Sequence, residues 1–137
     1  MYPVELTVPM ARDLTDSGFT GLTTPTDVSA VLENQQGTAL VVVNSVCGCA
    51  AANARPGAKM AITNDKRPDQ LYTVFAGVDM EATAKARSYM LPYPPSSPAI
   101  ALFKDGRLVH FLERHHIEGR SAELIAQNLM MAFDKYC

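Results

Sequence analysis

The chain is short of the features that would place it in several large classes. It has three cysteines in 137 residues, too few for a disulfide framework. Two of them are nearly adjacent, and in a reducing compartment such a pair is more often redox-active or metal-binding. An excess of cationic residues is missing too: 12 Lys and Arg stand against 14 Asp and Glu, for a net charge of −2. The basic residues are scattered, which excludes the clustered footprint of a nucleic-acid binder. No run approaches the roughly 20 apolar residues of a membrane-spanning helix. Met1-Tyr2-Pro3-Val4-Glu5 has no basic stretch leading into an apolar one, so no secretory signal is expected, and the expected compartment is the cytoplasm. Internal repeats, linkers and low-complexity tracts are absent. What remains is 47% hydrophobic and 19% charged, in a length that predicts one domain, residues 1–137, with a sizeable core.

The sequence that is there centres on Asn44-Ser45-Val46-Cys47-Gly48-Cys49-Ala50-Ala51-Ala52-Asn53-Ala54. The preceding apolar run, Ala39-Leu40-Val41-Val42-Val43, predicts a strand buried on both faces. The alanine-rich segment that follows predicts a helix. Cys47 and Cys49 therefore fall at a strand-to-helix turn, where unpaired backbone N–H groups carry partial positive charge. A thiol there is pushed toward thiolate, the form that acts as nucleophile or metal ligand. The pair has three readings: small apolar residues packing a helix start, soft ligands for an ion such as Cu(I), or thiol–disulfide chemistry. The turn exposes at least one cysteine, which weighs against the first. A zinc site needs further ligands, for which the chain has only Cys137, His110, His115 and His116. The pattern favours redox chemistry, with Cys47 as nucleophile and Cys49 as its partner. Cys137 fits an inert terminal thiol, or a resolving or dimer-forming one, better than a ligand.

Along the chain, residues 9–18 predict a short helix with Pro9 near its start and Gly18 as its stop. Residues 19–25 form a connection, and 26–33 a second helix capped by Thr24 or Thr26. A helix from about 47 to 62 contains Pro56-Gly57, which should interrupt it. A strand at 71–76, a helix at 79–90 and the proline-rich loop 92–98 follow. Asp105-Gly106 between two apolar runs predicts a β-hairpin, whose second strand has His110 on its surface face. A last helix, 121–135, with Ser121 as cap, should place Leu124, Ile125, Asn128, Leu129 and Ala132 on one side. The methionines, Met130 and Met131 among them, read as core fillers. The order ααβαβαββα is that of an α/β domain with a mixed sheet.

That order, with a cysteine pair after the first strand and Pro98 just before a terminal hairpin and helix, resembles the thioredoxin fold: a central mixed sheet flanked by helices. Ser97-Pro98-Ala99-Ile100-Ala101-Leu102-Phe103-Lys104-Asp105-Gly106 resembles the thioredoxin segment that holds a cis-proline beside the active site. A narrower resemblance, covering essentially the whole chain, is to the bacilliredoxin family. It rests on Leu22-Thr23-Thr24-Pro25, Leu40 through Ala51, Arg55-Pro56, Val74-Phe75-Ala76-Gly77, Pro95-Ser96-Ser97-Pro98, Arg114-His115, Ile117-Glu118-Gly119 and the ending Ala132 through Cys137. That resemblance implies removal of bacillithiol from mixed disulfides on cytosolic proteins, with bacillithiol as thiol co-substrate and no tightly bound cofactor or metal. Its implied partners are S-bacillithiolated proteins, bacillithiol and a bacillithiol-disulfide reductase. A homodimer is compatible with the chain; nucleic acid and membrane are not expected.

In this reading Ser97, Pro98 and Gly48 contact substrate beside Cys47. The Cys-Gly-Cys spacing and the lack of a carboxylate on the strand Leu40 to Val43 argue against a general reductase of the thioredoxin kind. A weak disulfide isomerase and a metal-delivery module stand as alternatives. No Lys, Arg or His lies within several residues of Cys47, so backbone amides are expected to activate it. A helix dipole contributes roughly 0.3–1 kcal/mol to an exposed group. His115, whose segment follows the second hairpin strand, is the one distant candidate to activate Cys47, and Cys137 is the other candidate accessory.

Overall fold

The structure, a computed structural model, describes residues 2–137; Met1, which opens the segment inspected for a secretory signal, lies outside them. The sheet is built around β2 (Thr38–Asn44), every residue of which is buried. Its β-branched residues pack on both faces of the pleat. Leu40 and Val42 join one core with Ala58, Ile125, Leu129 and Phe133. Ala39, Val41 and Val43 join the other, with Val28, Leu32, Ala82 and Ala86. β1 (Thr20–Gly21) and β2 flank β3 (Gln70–Phe75) in parallel, and β4 (Ala99–Lys104) runs antiparallel to β2. β5 (Arg107–Leu112) closes the edge, giving the order β1-β3-β2-β4-β5. The mixed sheet, flanking helices and terminal hairpin match the expected α/β thioredoxin-like class. The hairpin turn has Asp105 at φ 50° and Gly106 at φ 80°, the two left-handed residues that a type I′ turn requires.

The helices are α1 (Val4–Thr15), α2 (Pro25–Leu32), α3 (Arg55–Ala61), α4 (Met80–Ser88), α5 (Arg114–Ile117) and α6 (Ala122–Tyr136). Thr24 is the cap of α2: its hydroxyl accepts from the Asp27 N–H while the Asp27 carboxylate accepts from the Thr24 N–H, a reciprocal capping box. Ser121 caps α6 as expected.

Several local expectations are corrected. α1 starts at Val4, with Pro9 inside it rather than near its start. β1 was not expected, because two residues cannot show a strand period; it is made by pairing to β3. The irregularity in the third helix lies before Pro56, in a π-helical turn at Ala50–Ala54, and Pro56 sits in the first turn of α3. A proline is tolerated there because that N–H would have no helical partner. Gly57 instead serves packing: a Cβ there would lie 2.7 Å from Ile125 Cγ2. Leu124 and Met131 are exposed, at 54% and 73%, on the outer side of α6. His110, expected on the surface face, is half-buried and meets Asn128 Oδ1 of α6 at 2.6 Å in an exposed contact. His115 and His116 lie in the short helix α5.

Candidate active site

Three chain segments meet where β2 ends. The Asn44 carbonyl accepts from the Ala76 N–H at 2.9 Å, which brings the end of β3 alongside. Val43 pairs with Ala99, so Pro98 arrives beside Asn44. The Ser97–Pro98 peptide is cis, as the thioredoxin resemblance implied; the Leu91–Pro92 peptide is cis as well.

The turn after Asn44 is held from below by side chains. Asn44 Oδ1 accepts from the Ser45 N–H at 2.9 Å and from Arg55 Nη1 at 3.0 Å, while Asn44 Nδ2 donates to the Met10 carbonyl of α1. Arg55 Nη1 also donates to the Ser45 carbonyl at 3.2 Å, and its Nε to Asp13 Oδ2 at 3.1 Å. Arg55 is buried. A buried guanidinium is kept only where its donors are filled; here Nη1 holds the turn and Nε ties it to α1. Asn53, in the π-helical turn, donates to the Arg120 carbonyl and ties that turn to the approach of α6.

The two cysteines are not equivalent. Cys47 is half-buried, Gly48 is exposed, and Cys49 is 8% exposed. They are joined by a disulfide, with Cα atoms 5.3 Å apart. Cys47 stands where the helix begins: its carbonyl accepts from the N–H groups of Ala50 at 2.9 Å and Ala51 at 3.3 Å. Its N–H donates to Ser45 Oγ, and its Sγ accepts from the Cys49 N–H at 3.4 Å. An N–H directed at sulfur from the first turn of a helix favours thiolate. At Gly48 a Cβ would meet nothing within 4 Å, so the outer face of the motif is open.

Cys47 looks into a cleft of about 430 Å³, whose walls include Ser45, Gly77, Ser97, Arg87 and Arg114. The sequence has no Lys, Arg or His within several residues of Cys47, and α4 and α5 bring Arg87 and Arg114 from a distance to the walls of its cleft. Arg87 Nη2 donates to the Ser96 carbonyl at 3.3 Å. Burial lowers the Arg87 guanidinium below its ordinary pKa, although an arginine stays charged at neutral pH. Arg114 donates its N–H to Ser96 Oγ at 2.6 Å and pairs through Nε with Glu118 at 3.0 Å. A cleft of about 540 Å³ along α1, lined by Val8, Pro9, Arg12, Asp13 and Arg55 among others, holds no cysteine.

His115 does not line that cleft. Its side chain is 70% exposed, it packs on His116, and it lines an adjoining depression with Glu113 and Glu118. Among the described residues, the one group of three metal-ligating side chains is Glu113, His115 and His116, and it includes neither Cys47 nor Cys49. Tyr93 stacks on Phe111, with ring centroids 4.6 Å apart. Cys137 is a free thiol near Thr38 and Asp69, at the start of β2 and the far end from Cys47. Loss of hydration there is the main cause that raises its thiol pKa.

Arg55, Arg87 and Arg114 are the site residues that reading the sequence did not pick out as such. Arg55-Pro56 and Arg114-His115 lay within the stretches that carry the resemblance. Arg87 gives no local signal, since its approach to Cys47 depends on the tertiary packing of α4.

The family model described as "Disulphide isomerase" matches residues 2–137. A bacilliredoxin of Cytophaga hutchinsonii is 60% identical over 98% of this chain and 99% of its own length. A bacilliredoxin of Halalkalibacterium halodurans is 52% identical over 99% of this chain and 94% of its own. Among solved structures, mitochondrial thioredoxin 3 of Saccharomyces cerevisiae in its oxidised form superposes with a TM-score of 0.58, at 19% identity, over 90% of this chain and 98% of its own. The thioredoxin of Fasciola hepatica superposes at 0.56 with 17% identity, over 87% of this chain and 100% of its own. At such identities the superpositions speak for the fold, and the full-length relatives speak for the family. The chain belongs to the bacilliredoxin family, thiol–disulfide oxidoreductases with a thioredoxin-like fold.

Proposed function

We propose that this oxidoreductase removes bacillithiol from mixed disulfides on cytosolic proteins, with Cys47 as attacking thiolate and Cys49 behind it. The observation that carries the division of labour is the exposure difference between the two sulfurs. Cys47 faces the cleft, whereas Cys49 is 8% exposed and lies beneath it. Disulfide exchange requires the attacking thiolate in line with the S–S bond, and the reachable sulfur meets that condition first. The Cys47 thiolate attacks the bacillithiol sulfur, the protein–bacillithiol S–S bond breaks, and the protein cysteine leaves as thiolate. Cys47 then carries bacillithiol.

Two routes complete the turnover. In one, the Cys49 thiolate attacks Cys47 Sγ, bacillithiol leaves as thiolate, and the Cys47–Cys49 disulfide closes. The closed pair is then reduced by two equivalents of bacillithiol. In the other, a second bacillithiol thiolate attacks the bound bacillithiol sulfur and leaves as bacillithiol disulfide. Either way the oxidised product is bacillithiol disulfide, returned to thiol by a bacillithiol-disulfide reductase. Bacillithiol is thus a co-substrate, and no tightly held cofactor enters. The backbone at Ser97-Pro98 and the open face at Gly48 are where the modified protein lies across the site.

The test is the release of bacillithiol from an S-bacillithiolated protein, followed by loss of the mass adduct. Cys47→Ser should abolish release, and Cys49→Ser should retain it when excess bacillithiol is supplied. Full activity in Cys47→Ser together with loss in Cys49→Ser would reverse the assignment. The description of the family model as a disulphide isomerase favours a second reading, in which the same thiolate reshuffles protein disulfides. Reactivation of a scrambled protein at a rate matching bacillithiol release would support that reading.

A further inference from the structure

We infer that Arg87, with Arg114 beside it, is the carboxylate-binding end of the Cys47 cleft and holds the malate unit of bacillithiol; this rests on the bacillithiol reading above. The cleft at Cys47 is lined by two guanidinium groups and by no acidic side chain. Arg87 Nε is buried and has no hydrogen-bond partner, and among the described residues no carboxylate pairs with this arginine. Arg87 as a whole is half-buried and lines the open cleft, so its charge stands there with no protein carboxylate paired to it. A planar donor fork fits a carboxylate best, because two parallel N–H groups meet its two oxygens. Arg114 is already paired with Glu118 and serves as the second, weaker cation.

Position matches that chemistry. Arg87, Ser97 and Arg114 border both the Cys47 cleft and the adjoining depression of about 490 Å³. A ligand joined through sulfur at Cys47 would therefore run past Ser97 and reach the two arginines with its far end. Bacillithiol has that layout: a cysteinyl thiol at one end, a sugar between, and a malate with two carboxylates at the other. The Cys47 cleft, about 430 Å³, falls by itself in the range of small-molecule sites; the adjoining depression also carries Glu113 and Glu118.

The consequence is directional. Holding the bacillithiol half of a mixed disulfide places its sulfur, rather than the protein's, in line with Cys47. The new bond is Cys47–bacillithiol, the broken bond is the original disulfide, and the electron pair leaves on the protein thiolate.

Arg87 and Arg114 also hold the Ser96 and Ser97 carbonyls, so a purely structural role has to be separated from ligand binding. Titration calorimetry of the intact chain with S-methyl bacillithiol, which cannot exchange, measures binding apart from turnover. Arg87→Gln is expected to weaken binding roughly 10- to 100-fold, the span of a lost charge-assisted pair. Binding of the malate-free methyl glycoside should be weak and unchanged by the substitution. Rising salt should erode the wild-type preference. Equal affinity of wild type and Arg87→Gln for S-methyl bacillithiol overturns the inference, as does an equal loss for both ligands, which marks a loop brace only. Failure of the wild type to release bacillithiol from protein, with Arg87-dependent binding intact, defeats the proposed function and leaves this site standing.

Discussion

At the scale of single residues, the account rests on three sulfurs in three environments. Cys47 is half-buried at a helix start, Cys49 lies beneath it, and Cys137 stands at the opposite end of β2. Seven strand residues at about 3.3 Å each separate the two ends by roughly 20 Å. Cys137 therefore cannot resolve an adduct on Cys47 of the same chain. Its thiol pKa is raised above the ordinary 9.0, first by loss of hydration and further by Asp69. A raised value means less thiolate at neutral pH, so iodoacetamide should label Cys137 more slowly than it labels a thiol in a short peptide. The rate should climb with pH until above the ordinary thiol range. The measurement uses the chain with Cys47–Cys49 closed, where Cys137 is the free thiol. Labelling faster than the peptide would contradict the environment described. The cysteine pair was legible in the sequence because both sulfurs and the turn that presents them are local. Arg87 was not, because only the packing of α4 against the sheet brings it to the cleft.

At the scale of elements, the site is held by how α3 enters and how closely it packs. Gly57 lets α3 approach α6, where a Cβ would lie 2.7 Å from Ile125 Cγ2 and 3.2 Å from the Ala122 carbonyl. Glycine to alanine inside a helix ordinarily gains about 1 kcal/mol. Here overpacking, at about 1–3 kcal/mol, outweighs that gain. Gly57→Ala should therefore lower the urea midpoint, and the loss should shrink in an Ile125→Ala background, where the obstructing methyl is gone. Stabilisation by Gly57→Ala in the wild-type background would show that the helices separate freely. The sequence marked Pro56-Gly57 as a break in the helix, since proline and glycine are read locally as breakers. The packing reveals proline in a first turn and glycine at a close crossing. Elements with a long period, such as β2 and α6, were read within a residue or so of their ends. β1 and α5 were missed for the opposite reason: two and four residues carry no period, and pairing to β3 or the turn after β5 creates them.

At the scale of the whole molecule, the thioredoxin-like sheet brings β2, β3 and the Pro98 loop together at one end, where Cys47 stands. Both cores press on β2, so the strand that delivers Cys47 is packed on both faces along its whole length. The helices then add what the sheet lacks: Arg55 under the turn, and Arg87 and Arg114 across the cleft. The fold was legible because hydrophobic period and turn residues agree along the chain. The electrostatics of the site were not, because they arise from three arginines far apart in sequence. The central claim, that Cys47 is the sulfur that takes up bacillithiol, is tested most directly by mass spectrometry of peptides from Cys49→Ser after mixing with an S-bacillithiolated protein. The account predicts one bacillithiol adduct on the peptide containing Cys47 and none on Cys137. An adduct on Cys137, or an unmodified Cys47 while the protein substrate loses its bacillithiol, would contradict it.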